Sequence, residues 1–137
     1  MSLDSLYAQL HQYQRELEAK QAQRRRYMEK ASQCKTLYRQ VIADKNAVEG
    51  FRKSVKNLRN EKFDNFKGYQ QGTVYKGTML ELIETYDTLI DDLDTNADRL
   101  NTKRMEWENK AYALDGPIGN LRGLINYLWT QIQNWTN

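Results

Sequence analysis

The chain has one cysteine, one proline, one histidine and no long apolar run, and each scarcity removes a class of protein. Cys34 alone cannot close an internal disulfide, so a disulfide framework is excluded. Set among helically spaced apolar residues, it reads as a small packing residue. His11 lies 23 residues from Cys34 on what the pattern makes a single helix. At ~1.5 Å per residue that is about 35 Å, too far for proton transfer. No cluster has metal-ligand spacing. The expectation is a protein that is not an enzyme and takes no cofactor. No stretch approaches the ~20 apolar residues of a membrane span, and MSLDSLYAQL lacks the basic-then-apolar order of a leader peptide. The expected place is the cytoplasm, without membrane insertion; export would need a route that does not read such a leader.

What is present is helix. Charged residues make up 28% of the chain and hydrophobic ones only 39%, too little apolar mass for a thick core, while 11% aromatics argue against disorder. Apolar residues fall at steps of three and four: Leu3, Leu6, Leu10, Tyr13 and Leu17, then Tyr27, Ala31, Cys34, Tyr38 and Val41, then Val48, Phe51, Val55 and Leu58. The stripe resumes at Met79, Ile83, Tyr86, Ile90, Leu93, Ala97, Leu100, Trp107, Ala111 and Leu114, in the manner of a coiled-coil seam. Asp115-Gly116-Pro117 then stops or kinks it, glycine suiting the position after a helix and proline the first turn of the next.

These patterns predict a single all-α domain, an elongated antiparallel helical hairpin with a short additional C-terminal helix. The first arm covers about 3–65, with a break at Gly50 left open, the central turn about 66–77, the second arm about 78–115 and the C-terminal helix about 117–135. Residues 1–67 carry 15 Lys and Arg against 8 Asp and Glu, and residues 68–137 carry 6 against 10. A basic arm followed by an acidic arm attracts itself in an antiparallel hairpin. Such pairing also weakens the case for nucleic-acid binding, which needs a free basic face.

Two stretches imitate ligand loops. Gly72 and Gly77 have the spacing of a phosphate-binding loop, but Lys76 precedes the second glycine instead of following it, and no strand leads in. Asp92, Asp94, Asn96 and Asp98 imitate the front of a calcium loop, which needs glycine where Ala97 stands and glutamate where Lys103 stands.

The centre and the end of the chain carry a resemblance. Phe66-Lys67-Gly68 stands where WXG (Esx-like) proteins of type VII secretion have a Trp-x-Gly in the loop of a helical hairpin. Gly68 allows the reversal and Phe66 tucks the tip onto the helix ends. With Tyr75 following, a polar first helix, a long second arm and the closing GLINYLWTQIQNW (123–135), the whole chain resembles the YwqH-like small helical partners of LXG polymorphic toxins of Gram-positive bacteria. The resemblance implies a targeting chaperone that binds the helical N-terminal LXG domain of a toxin together with a second small helical protein. It would stay cytoplasmic or be co-exported with the toxin. No Tyr or Phe has Asp or Glu four residues later, so the Y-x-x-x-[DE] export signal is absent. The expected hairpin tip is Phe66, Gly68 and Tyr75, and the expected partner interface is Leu128, Trp129, Ile132 and Trp135. The alternatives are a self-associating coiled-coil scaffold, a homodimer when alone, and, behind it, a basic helical nucleic-acid binder.

Overall fold

The described residues form three helices: α1 Leu3–Phe63, α2 Tyr69–Ala113 and α3 Asp115–Thr136. The computed structural model describes the backbone of residues 2–63 and 69–136, and the side chains of 2–59 and 76–136. Among the described residues only Ser2 and Leu114 lie outside a helix. The architecture is the expected all-α hairpin with a short C-terminal helix.

Helix α1 is capped by Ser2, whose Oγ accepts from the Ser5 amide at 3.1 Å while its carbonyl accepts from the Leu6 amide at 3.1 Å. Asp4 in the first turn complements the positive end of the helix. With no proline to remove a donor, the helix runs unbroken through Gly50, whose missing side chain meets only open space. The cost of that glycine, ~1 kcal/mol relative to alanine, is small against a helix held along its length.

The second arm starts earlier than the sequence indicated. Residues 69–77, expected within the turn, belong to α2. Its far end is also displaced: Leu114 is the single non-helical residue between α2 and α3, and α3 begins at Asp115. The Leu114 amide donates to the Ala111 carbonyl at 3.1 Å, tightening the last turn, and the Ile118 amide donates to Leu114 at 3.0 Å, opening the next helix. Pro117 sits in that first turn, where its missing donor costs little. Gly116 is not a left-handed terminator as the sequence implied; it is helical, and no described glycine has positive φ.

The chain forms two compact units. The first comprises Met1–Gln33 and Lys103–Asn137. Leu6, Leu10, Leu128 and Ile132 form its core cluster, with Leu3, Tyr13 and Ile125 packed against it. Ala31, Ala111, Ile118 and Leu121 are also buried. Tyr27 stacks on Trp107 at 5.7 Å between centroids, and the Lys30 and Lys110 ammonium groups lie 4.4 and 4.5 Å from a Trp107 ring.

The second unit comprises Cys34–Thr102. Its buried hydrophobic residues, among those described, are Ile83 and Ala97 alone. Ion pairs join its two arms instead. Lys45 Nζ donates to Asp94 Oδ1 at 2.6 Å, and Arg52 Nε donates to Asp87 Oδ1. A step of seven residues up α1 matches a step of seven down α2, which fixes the arms as antiparallel and in heptad register. Basic first arm and acidic second arm attract each other here as their composition implied.

Candidate partner-binding surface

The register of the second unit decides which side chains face outward. The half-buried row on α1 is Tyr38, Lys45, Arg52 and Arg59, flanked by Val41, Val48 and Val55. Two residues assigned by sequence to the inward stripe are therefore misplaced: Phe51 is 60% exposed and Leu58 is 38% exposed. The reason is the ion pairing. Lys45 and Arg52 take inward positions because Asp94 and Asp87 wait across the seam, and the aliphatic stems of the cations fill the space. Phe51 and Leu58 are turned about 100° away, one position before that row.

Leu37 occupies the same kind of position, one residue before Tyr38, and is exposed. On α2 the inward row includes Ile83, Ile90 and Ala97. Leu82 and Leu89, one position before it, are exposed as well. An antiparallel helix pair has a local two-fold axis normal to its plane, so residues displaced the same way around each helix emerge on the same side. Leu37, Phe51, Leu58, Leu82 and Leu89 thus share one face of the second unit. Asp44 is the sole charge in these two rows as far as Asn96.

The opposite flank is built differently. One position after the inward rows stand Arg39, Asn46 and Lys53 on α1, and Glu84, Asp91 and Asp98 on α2. The second unit is therefore mostly charged on one side and mostly apolar on the other, with exposed Leu80 standing apart, one heptad before Asp87. Single exposed hydrophobic residues are ordinary, but a row of five on one face is the usual mark of a protein-binding surface.

The α3 residues expected to meet a partner divide into two groups. Leu128 and Ile132 are 4% and 3% exposed and belong to the core with Leu6 and Leu10, so the expectation that they are outward contacts is corrected. The last helix needed those side chains to hold itself to α1. Trp129 and Trp135 do remain exposed, as do Leu124 and Tyr127. Phe66 and Gly68 of the expected tip lie outside the described residues, and Tyr75 falls within α2.

The calcium-loop imitation lies inside unbroken α2, where helical geometry does not allow the tight turn such a loop requires. Gly72 to Thr78 is likewise helical. Among the described residues no helix is long and apolar enough to cross a membrane. The sequence could have disclosed the apolar face through the heptad recurrence of Leu37, Asp44, Phe51 and Leu58 beside that of Tyr38, Lys45, Arg52 and Arg59. Only the position of the acidic partners tells which row turns inward. No protein-family model, curated protein or solved structure matches the chain.

Proposed function

We propose that the protein is a non-enzymatic helical partner that binds the N-terminal LXG domain of a polymorphic toxin for type VII secretion, together with a second small helical protein. The observation that carries this reading is the apolar face of Leu37, Phe51, Leu58, Leu82 and Leu89 on a unit with little buried apolar mass. A helix or hairpin with its own apolar stripe would cover that face and complete a bundle around the second unit. Burial of apolar area drives the association, and the charged opposite flank keeps the free protein in solution. The resemblance to YwqH-like proteins supplies the identity of the partner. Exposed Trp129 and Trp135 offer further contacts on the first unit.

The same face supports one other reading, self-association, because a face built from matching positions of two antiparallel helices can meet a second copy of itself. Co-purification with the helical N-terminal domain of a toxin encoded beside this protein separates the two. A heteromer of defined mass supports the partner reading, whereas a stable homodimer that ignores the toxin domain supports the scaffold.

A further inference from the structure

In the first unit a cleft of about 480 Å³ opens between α1 and α3, lined by Gln21, Arg24, Arg25, Asp115, Ile118 and Arg122. Three guanidinium groups meet one carboxylate there. That carboxylate is already used: Arg24 Nε donates to Asp115 Oδ1 at 2.7 Å. Arg25 and Arg122 are exposed and have no hydrogen bond or ion pair among the described residues. The cleft therefore holds two uncompensated positive charges from two different helices.

We propose that this cleft binds a compact multivalent oxyanion of the phosphate class. Each guanidinium presents a planar fork that is filled by two acceptor oxygens. A lone carboxylate fills one fork. A tetrahedral phosphate has the oxygens and the charge for both Arg25 and Arg122, with Gln21 able to donate through its amide. Asp115 acts as an internal competitor that holds Arg24 away from the anion. The site is independent of the apolar face and stands or falls separately from the partner reading.

Titration of the full chain with inorganic phosphate, pyrophosphate and acetate at low ionic strength tests it, read by calorimetry and by the arginine side-chain NMR signals. The expected result is saturable binding of one pyrophosphate per chain, weaker phosphate binding and no saturable acetate binding. Arg25→Gln and Arg122→Gln each weaken pyrophosphate by about tenfold, the loss of one charge-assisted contact. Arg26→Gln, a neighbouring exposed arginine outside the cleft, leaves the affinity unchanged. Asp115→Asn frees Arg24 and tightens binding. Comparison with ADP separates a free anion, bound with equal affinity, from a phosphoryl group on a larger ligand, bound more tightly. Non-saturating response to every anion, or equal weakening by Arg26→Gln, overturns the proposal, as does weaker binding by a folded Asp115→Asn variant.

Discussion

The first unit buries leucine and isoleucine and leaves its charges outside; the second places lysine and arginine at seam positions and turns leucine and phenylalanine outward. The core of the first packs α1 against α3, whereas the second pairs α1 with α2. The contrast separates two tasks that a helical hairpin must perform. Leu6, Leu10, Leu128 and Ile132 hold helices together within the chain. Leu37, Phe51, Leu58, Leu82 and Leu89 stay exposed on one face. Ion pairs give the second unit its register while contributing little net stability, since solvent screens half-exposed pairs.

The largest effect that would test this contrast is a core truncation. Leu10→Ala, at a site only 1% exposed, should destabilise the protein by about 2–5 kcal/mol in urea unfolding. Phe51→Ala, despite removing more side chain, should stay within about 0.5 kcal/mol. Equal losses would mean that Phe51 is packed after all. Next in size is the effect on association. Phe51→Glu with Leu89→Glu should weaken partner binding by about 100-fold or more while leaving helix content unchanged by circular dichroism.

A smaller effect sharpens the role of the ion pairs. Replacing Arg52 and Asp87 together by leucine should change stability by no more than about 1 kcal/mol, because a half-exposed pair contributes little. Arg52→Leu alone should lower it, leaving Asp87 without its partner. If the double replacement destabilised as much as the single one, the pair would be contributing more than register.

The smallest effect is at alkaline pH. The hydrogen bond to Asp94, supported by the charges of Asp94, Glu49 and Asp98, raises the Lys45 pKa above its ordinary 10.5 despite some opposing desolvation. The group binds its proton more tightly folded than unfolded. Its contribution is complete below the ordinary lysine value and is lost as pH rises through the higher folded value. Lys45→Arg stays charged through that window. Unfolding curves of the two proteins should therefore run parallel at neutral pH and diverge above about pH 10, the wild type losing more.

Much of the fold was legible in the sequence. Steps of three and four gave the helices, proline placed the final break within three residues, and the charge asymmetry of the two halves implied a general attraction with which the pairs Lys45–Asp94, Arg52–Asp87 and Arg24–Asp115 agree. The surface was less legible, for a physical reason. Apolarity was used to identify the inward face, and in the second unit the inward face is partly cationic. Phe51 and Leu58 were assigned inward for that reason. On α3 the opposite error occurred: Leu128 and Ile132 looked like surplus apolar surface, yet they are what anchors the helix to Leu6 and Leu10. A glycine-rich stretch read as a turn proved helical from Tyr69 onward, because glycine weakens a helix without forbidding one.

The central claim is that the apolar face of the second unit binds a helical partner. The most direct measurement is the solution mass, by sedimentation, of this chain mixed with the helical N-terminal domain of an LXG toxin. Wild type and the Phe51→Glu, Leu89→Glu variant would be run side by side. The account predicts a heteromer of defined stoichiometry with the wild type and separate species with the variant. A heteromer of the same mass formed equally well by the variant would contradict it.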